Sequence, residues 1–252
     1  MTASLSHKLK QLIDKARHIV FFGGAGVSTE SGIPDFRSEK GLYKAQEEYG
    51  RSPEEMISHS FFMREPDTFF RYYKENLIYT DARPNAAHLG LYEIEKGGKD
   101  IKIVTQNIDG LHQEAGSGEV YELHGSVRRN YCLGCGEAYG LSYIMDPANC
   151  RKYGSETEWI PWCGKCGAMV RPDVVLYEEG LDGETVAGAT DAISKADLLI
   201  VGGTSLVVYP AAGFLNYFRG GPLVLINMSA TGYDDRADLI IRKPIGEVFS
   251  EL

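Results

Sequence analysis

The sequence has no apolar stretch as long as a membrane-spanning helix, and its N-terminus lacks the basic and then apolar layout of a secretion signal. We therefore expect a cytoplasmic protein without a membrane partner. Positive charge is also scarce, because 26 Lys and Arg stand against 35 Asp and Glu, for a net charge of −9. This balance disfavours direct nucleic-acid binding. It is compatible with basic protein or peptide substrates, and equally with acidity that only keeps the chain soluble.

Cysteine is scarce as well, and its odd number, five, does not fit a disulfide framework in a reducing compartment. Four of the five form two Cys-x-x-Cys pairs, Cys132 with Cys135 and Cys163 with Cys166. Four thiolates in this arrangement are typical of a closed tetrahedral zinc site, which leaves no position for a reactive water. The zinc is therefore predicted to be structural. Cys150 could replace one ligand, but it lacks a Cys-x-x partner and is interpreted as a free thiol.

The hydrophobic pattern predicts an α/β fold. Hydrophobic residues make up 43% of the chain, and several short runs are apolar throughout. Such runs, separated by helical patterns, indicate a parallel sheet that is covered on both faces. The predicted strands are 19–22, 102–105, 174–176, 198–201 and 223–226. The predicted helices are 5–16, 85–96 and 187–196.

Two segments differ in composition from the rest of the chain. Residues 38–82 are rich in aromatic and charged side chains, and Pro53 and Pro66 break the helical patterns there. This segment is interpreted as a helical insertion. Residues 127–171 contain all five cysteines together with Gly and Pro, but few long apolar runs. This composition is typical of a small module that a metal ion holds together.

The Gly-Ala-Gly turn at 24–26 follows the first predicted strand. Such turns let backbone amides approach a phosphate. The usual dinucleotide fingerprint is incomplete here, because position 29 is Thr and no acidic residue follows a strand about 20 residues beyond the turn. The chain continues instead into Gly-Ile-Pro-Asp-Phe-Arg at 32–37. These departures disfavour a dehydrogenase that transfers hydride.

Polar clusters follow four of the predicted strands, and loops after parallel strands converge on one crevice. The clusters are 24–37, 106–109, 202–205 and Asn227. Gly and Ser or Thr suit phosphates and Asn suits ribose hydroxyls, so the crevice is predicted to bind a nucleotide. For Thr204 and Ser205 alone, a helix cap without a ligand is the alternative.

His124 is the candidate general base. It precedes Gly125, where the chain leaves the predicted sheet for the cysteine module, and imidazole accepts a proton near neutral pH. The other histidines are interpreted as structural, including His112 within a predicted helix; the rest are His7, His18, His59 and His88.

Together, these motifs resemble those of the sirtuins, which are NAD-dependent protein lysine deacylases. The resemblance rests on 24–28, 32–37, 105–109, 123–125, the two Cys pairs and 203–206, in the family's order along almost the whole chain. It implies one catalytic domain over 1–252, of the bacterial or archaeal core type, which we expect to be a monomer. A large Rossmann-like lobe would comprise about 1–37, 83–126 and 172–252. A small lobe would combine the helical insert, about 38–82, with a zinc ribbon, about 127–171.

The resemblance also implies that NAD binds between the lobes as a co-substrate. The adenosine half would contact the main chain near Ile245 and a set of small and polar residues, namely Gly24, Ala25, Thr29, Arg37, Gly203, Thr204, Ser205 and Asn227. The nicotinamide half would contact Ile33, Asp35, Phe36, Gln106, Asn107, Ile108 and Asp109.

In the implied reaction, nicotinamide leaves and the acyl oxygen of acyl-lysine attacks the exposed anomeric carbon. His124 would take a proton from a ribose hydroxyl, with Asn107 and Asp109 as its catalytic partners, while Phe36 shields the sugar. The products are lysine, nicotinamide and O-acyl-ADP-ribose, and no hydride moves.

The acyl-lysine peptide would bind as an extended strand between two segments of the chain. These contain Val174, Val175 and Tyr177 on one side and Leu206, Val207, Val208 and Tyr209 on the other. Tyr177-Glu178-Glu179 stands where the family usually has Phe-Gly-Glu, and the added carboxylate is expected to favour basic flanking residues. Phe70 and Tyr73 occupy the positions of the Tyr-x-x-Arg pair of succinyl- and malonyl-selective members. An acetyl or longer apolar acyl group is therefore expected.

Two other functions use the same nucleotide pocket. Mono-ADP-ribosyl transfer would differ only in its acceptor. A non-catalytic NAD or ADP-ribose sensor would not need a base, so the presence of Asn107, Asp109 and His124 disfavours it.

Overall fold

The computed structural model describes residues 5–35, 46–151 and 159–252. Its strands, in chain order, are β1 (His18–Gly23), β2 (Asp100–Thr105), β3 (Val120–Glu122), β4 (Gly125–Cys132), β5 (Ala138–Gly140), β6 (Cys150–Arg151), β7 (Ile160–Pro161), β8 (Val170–Val174), β9 (Leu198–Gly202), β10 (Leu223–Ile226) and β11 (Leu239–Ile241). Six of them form a sheet in the order β11-β10-β9-β1-β2-β3, and every neighbouring pair in it is parallel. The predicted α/β class with a parallel sheet is confirmed.

The register of this sheet aligns the carboxyl ends of its central strands. Gly23 is the register partner of both Thr105 and Gly202, and Thr105 is in turn the partner of Glu122. The loops that follow β1, β2, β3 and β9 therefore all start at one level. This alignment brings the polar clusters of the sequence to a common edge.

The α-helices with both ends inside the described ranges are α1 (Leu5–Lys15), α2 (Pro53–Met56), α3 (His59–Arg64), α4 (Pro66–Asn76), α5 (Ala86–Lys96), α6 (Leu111–Ala115), α7 (Leu141–Met145), α8 (Gly183–Lys195) and α9 (Ile245–Ser250). One face of the sheet packs against α1, α5 and α9, and the other against α8 and the 3₁₀ turn Ala211–Tyr217. The apolar strands are thus buried on both faces, as predicted. Within the described part of the chain, no helix combines the length and apolar character required to cross a membrane.

Helix α5, predicted over 85–96, is capped by Asn85. The side chain of Asn85 accepts a hydrogen bond from the amide of Ala87 at 2.9 Å, which satisfies a donor of the first turn. The Nδ2 of Asn85 also donates to the carbonyl of Val27 at 2.7 Å and to the hydroxyl of Ser31 at 2.9 Å. One residue therefore caps the helix and holds the loop after β1 against it.

A third hydrophobic core lies outside the parallel sheet. It joins helices α2 to α4 to the cysteine-containing segment through buried side chains that include Phe61, Phe69, Tyr73, Ile144 and Val170. These contacts pack the helical insertion against the cysteine module, as one would expect of a small lobe. The boundaries of the two lobes stay a prediction.

One predicted strand belongs to a different sheet. Strand β8 ends at Val174 and pairs antiparallel with β4, in a three-stranded sheet with the order β5-β4-β8. The prediction of a parallel strand over 174–176 was therefore wrong. Val174 and Leu176 are apolar because they are buried in the third core, and burial alone does not reveal which sheet a strand joins. Strands β3 and β11, of three residues each, were not predicted.

Candidate active site

The loops after β1 and β9 meet at the point where the strand order reverses, since β2 lies on one side of β1 and β9 on the other. Ligands of open parallel sheets bind at such a switch point, beyond the carboxyl ends of the strands. Here the amide of Gly24 donates to the carbonyl of Gly202 at 3.2 Å, and that of Gly26 donates to the carbonyl of Gly203 at 2.8 Å. Two amides of the glycine turn are thus used within the protein, to join the loops.

Gly203 allows this close contact. Its φ is 60°, and a Cβ built on it would lie 2.4 Å from the backbone nitrogen of Val27 and 2.6 Å from the carbonyl carbon of Gly26. The glycines of both loops are therefore required for contact between two backbones. That the 24–26 turn also lets a phosphate approach stays a prediction.

Gly203→Ala is expected to destabilise the protein by at least about 3 kcal/mol. The left-handed conformation costs a non-glycine residue about 1–2 kcal/mol, and the backbone clash adds to that cost. Gly98→Ala is the matched control, because Gly98 also has a positive φ, 92°, but its Cβ would meet nothing within 4 Å. Urea unfolding of both variants measures the difference, and equal losses would contradict this account.

The carboxylate of Asp109 is held on both oxygens. The hydroxyl of Ser28 donates to Oδ2 at 2.7 Å, and the amide of Leu111 donates to Oδ1 at 2.9 Å. Arg128 fixes the main chain of the same residue, because its Nε donates to the Asp109 carbonyl at 3.0 Å. Asp109 thus has a defined orientation at the end of β2.

Two amide side chains connect the neighbouring loops. Asn107 Nδ2 donates to the hydroxyl of Ser28 at 3.0 Å, and its backbone amide donates to the hydroxyl of Thr105 at 3.0 Å. Gln106 Nε2 donates to the hydroxyl of Thr204 at 3.1 Å. Ser28, which is buried, was missed as a site residue, although its place directly after the glycine turn was a usable signal.

His124 lies half-buried two residues after β3, and its neighbour Leu123 bonds to Thr105 at the end of β2. Its Nδ1 is 2.9 Å from the carbonyl oxygen of Gln106. Because a carbonyl only accepts, Nδ1 carries the hydrogen, and the neutral ring then has its lone pair on Nε2. This tautomer suits a general base. The amide of Val175 donates to the carbonyl of His124 at 3.0 Å, so the base and the segment after β8 are directly connected.

His88 and His112 are buried with their ring centroids 4.7 Å apart. Burial lowers the pKa of His88 to about 4, although the nearby charge of Asp109 opposes the shift, and burial also lowers the pKa of His112 well below its usual range. Both rings are therefore neutral near pH 7. This supports the structural role predicted for them.

The remaining NAD candidates follow the same strand ends, apart from two that fall outside the described ranges, Phe36 and Arg37. Thr29 donates to the carbonyl of Gly26 at 3.0 Å, and Asn227 Nδ2 donates to the carbonyl of Ser229 at 3.1 Å. Half-buried or exposed positions are taken by Ala25, Ile33, Asp35, Ile108 and Ser205. Ile245 begins α9 with a buried side chain. Together with Gln106, Asn107, Asp109 and Thr204, these residues offer the amide, hydroxyl and carboxylate groups that suit ribose hydroxyls and a carboxamide.

The four paired cysteines form one cluster. Their sulfur atoms all lie within 4.8 Å of one another, with 3.4 Å between Cys132 and Cys166 and 3.7 Å between Cys135 and Cys163. A tetrahedron with Zn–S distances of about 2.3 Å has edges of about 3.8 Å, so the cluster fits one zinc ion. The predicted ligand set is confirmed as a group. Cys150 lies elsewhere, with its sulfur 3.2 Å from Nζ of Lys74, and is not part of the cluster.

The two predicted peptide-binding segments differ in exposure. Tyr177, Val207 and Tyr209 are 36%, 64% and 70% exposed, whereas Val174 and Leu206 are buried. Val175 and Val208 are half-buried. Both segments thus offer exposed side chains next to residues that anchor them in the cores.

Glu179 is tightly held beside the first of these segments. Arg171 donates to both of its oxygens, at 2.8 and 3.0 Å, and the amide of Leu176 donates at 2.9 Å. Burial alone would raise the pKa of Glu179, but the hydrogen bonds from Arg171 and Leu176 outweigh it and lower the pKa to about 2. The carboxylate is therefore ionised and paired at neutral pH.

Glu179→Gln is expected to destabilise the protein by about 2–4 kcal/mol at pH 7, because Arg171 loses its charged partner while only 10% exposed. The folded-state pKa is depressed, so this stability is present above the usual value of 4.5 and is lost as pH falls towards 2. Urea unfolding should show a smaller difference in the free energy of unfolding between wild type and variant at pH 3 than at pH 7. Glu93→Gln is the control, since Glu93 and its partner Lys96 are 63% and 60% exposed and such pairs contribute little. A gap that stays constant between the two pH values would contradict the assignment.

Comparison with known proteins gives concordant results. The sequence model of the Sir2 family matches residues 24–210. An NAD-dependent protein deacetylase of Clostridium acetobutylicum is 57% identical over 242 residues, which are 96% of this chain and 95% of the relative. A second, from Clostridium perfringens, is 56% identical over 247 residues, 98% of this chain and 97% of the relative.

Solved structures resemble the fold over almost its whole length. A Sir2 variant with a deacetylated p53 peptide and 3′-O-acetyl-ADP-ribose superposes with a TM-score of 0.84 at 36% identity, covering 97% of this chain and 95% of that one. Sir2 with a p53 peptide and NAD⁺ superposes with a TM-score of 0.81 at 35% identity and the same coverage.

Proposed function

Because this chain belongs to the Sir2 family, we infer that it is an NAD-dependent protein deacetylase. It transfers the acetyl group of acetyl-lysine to ADP-ribose and releases nicotinamide and O-acetyl-ADP-ribose. The observation that carries the mechanism is the bond between Nδ1 of His124 and the carbonyl of Gln106, next to the Asn107–Ser28–Asp109 network. An oriented base and an oriented carboxylate are thus present at one edge of the sheet.

The residues of this edge have separate roles in the proposal. Asn107 and Asp109 hold the carboxamide and ribose of the nicotinamide half, and Thr204 and Asn227 hold the adenosine half. NAD supplies the glycosidic bond whose cleavage releases nicotinamide. His124 accepts a proton from a ribose hydroxyl at Nε2, because its Nδ1 hydrogen is committed to Gln106.

The zinc site is structural in this proposal. Four thiolates close the coordination shell, so the ion has no position for water. The ligands lie in the small sheet and the loops next to it, and Cys132 and Cys163 belong to the third core. The ion therefore stabilises the module against which helices α2 to α4 pack, and the chemistry stays at the parallel sheet.

Acetyl-lysine peptide binds between segments 174–177 and 206–209. Main-chain hydrogen bonds there recognise the backbone of the peptide more than its side chains. Phe70 and Tyr73, at the positions that carry the Tyr-x-x-Arg pair in succinyl- and malonyl-selective relatives, are fully buried in the third core. Neither provides a cation for a distal carboxylate. This supports a preference for acetyl and apolar acyl groups.

A monomeric state, a cytoplasmic location and the absence of nucleic-acid and membrane partners stay predictions.

The test uses NAD labelled in its ADP-ribose part, with one peptide in acetylated and unacetylated forms. We expect release of nicotinamide only with the acetylated peptide, and label in a small product. Label transferred to protein without any need for acetyl-lysine would establish ADP-ribosyl transfer instead. Binding of NAD without release of nicotinamide would identify a sensor.

A further inference from the structure

The loop after β8 is connected to the helical insertion by main-chain hydrogen bonds. The amide of Tyr177 donates to the carbonyl of Ile57 at 3.1 Å, and the amide of His59 donates to the carbonyl of Tyr177 at 3.0 Å. This pairing forms an isolated parallel bridge between Ser58 and Tyr177. The segment proposed to pair with the peptide is therefore supported by α3 and the residues before it.

Glu178 has an unusual backbone conformation within this loop. Its φ is 77°, in the left-handed region that favours glycine, although the side chain is a glutamate. This conformation is unfavourable for a residue that has a Cβ, so another interaction must hold the loop there.

The carboxylate of Glu178 supplies that interaction. It accepts hydrogen bonds from the amide of Ser60 at 2.8 Å and from the hydroxyl of Ser60 at 2.6 Å. These two bonds lower the pKa of Glu178, and the bond from the Ser60 hydroxyl has the larger effect. The carboxylate is therefore ionised at neutral pH. The contact joins the strained residue to the first turn of α3.

The next residue holds the loop from the other side. Glu179 accepts from Arg171 and from the amide of Leu176, and His59 Nδ1 lies 2.8 Å from its Oε1. Two consecutive carboxylates therefore anchor the loop, Glu178 to α3 and Glu179 to both β8 and α3. Between them, they fix the position and direction of the Tyr177 main chain.

We propose that Glu178 is a positioning residue for substrate, whose carboxylate fastens the peptide-pairing loop to Ser60 and so maintains the left-handed backbone conformation there. The proposal rests on the proposed function, because that assigns the loop to the peptide. It differs from the sequence-based expectation that the charge of Glu178 attracts basic flanking residues. The carboxylate acts on Ser60, so its effect is the same for peptides of any charge.

Three substitutions separate the backbone role from a charge effect. Glu178→Ala keeps the strain and removes the acceptor, so the KM for peptide should rise about tenfold, equal to about 1.4 kcal/mol. Glu178→Gly removes the acceptor and the strain together, so the KM should stay within about twofold of wild type. Glu178→Gln keeps an acceptor for the Ser60 amide without the charge, and should fall between these values. The KM for NAD and the kcat should not change in any of them.

Acetylated peptides with basic and with acidic flanking residues complete the kinetic test. Glu178→Ala should raise both KM values by the same factor. The proposal is overturned if the KM rises only for the basic peptide, or if Glu178→Ala and Glu178→Gly behave alike.

Hydrogen exchange provides a readout that does not depend on catalysis. In the protein without NAD or peptide, the amides of Tyr177 and Ser60 should exchange about tenfold faster in Glu178→Ala than in wild type. The Ser60 amide loses its acceptor, and the bond from the Tyr177 amide to Ile57 opens more often once the loop is no longer fastened. Equal exchange would overturn the proposal even for an active enzyme. If the wild type shows no acetyl-dependent release of nicotinamide, the proposed function fails, while the exchange result still decides whether Glu178 holds the loop.

Discussion

His124→Ala should lower the rate of deacetylation by about 10²- to 10⁴-fold, the usual contribution of a positioned general base. The affinity for NAD should change little, because the side-chain hydrogen bonds that orient Asp109, Asn107 and Gln106 do not involve the imidazole ring. The ring bonds the main-chain carbonyl of Gln106, which its side-chain bond to Thr204 does not require. Turnover with an acetylated peptide and titration of NAD by calorimetry measure the two effects separately.

Two further substitutions sharpen this test. His124→Asn retains a donor for the carbonyl of Gln106 but has no group that accepts a proton at neutral pH, so it should be as inactive as His124→Ala. His18→Ala is the matched control, because His18 begins β1 at the amino end of the sheet and pairs there with Asp100. Undiminished turnover in either His124 variant would refute the mechanism.

Cys132→Ser should nearly abolish zinc binding and unfold the cysteine module. Structural zinc in comparable sites contributes about 10–16 kcal/mol of binding free energy, which is as large as the whole margin of about 5–15 kcal/mol by which domains are stable. Cys132 ends β4 and is buried in the third core, so the loss extends to the helices packed there. Zinc content by mass spectrometry and near-ultraviolet circular dichroism report the two consequences.

Cys150→Ser is the matched control for this experiment. Its sulfur is buried beside Nζ of Lys74 and lies outside the cluster of four. The variant should keep one zinc ion per chain and the circular dichroism of the wild type. Loss of zinc from Cys150→Ser equal to that from Cys132→Ser would show that the ligand set is wrong.

The two large predictions rest on features that the sequence made visible in different ways. The zinc ligands followed from spacing alone, because two Cys-x-x-Cys pairs are typical of a site in which four sulfurs bind one zinc ion. His124 needed a further step, since a histidine acquires a role only from its surroundings. The sequence placed it at the crevice, and the carbonyl of Gln106 then decided which ring nitrogen carries the hydrogen.

The features that sequence reasoning missed are contacts between segments that are far apart in the chain. The apolar run at 174–176 has the composition of a buried strand, but only contact with β4 decided that β8 ends at Val174 in an antiparallel sheet. The sequence pattern of the glycine turn likewise did not reveal that the amides of Gly24 and Gly26 donate to the loop after β9. Both features depend on partners that are distant in sequence, which local pattern does not identify.

By itself, the sequence determined the α/β class, the sirtuin motifs, the zinc ligands and the candidate base, because spacing, periodicity and residue chemistry are local properties of the chain. Only the tertiary structure decided that Ser28 joins Asn107 to Asp109, and that Glu178 keeps a left-handed conformation by binding Ser60. The physical reason is that a hydrogen bond depends on distance and direction in space. Residues 79 or 118 positions apart acquire these only when the sheet and its loops have formed.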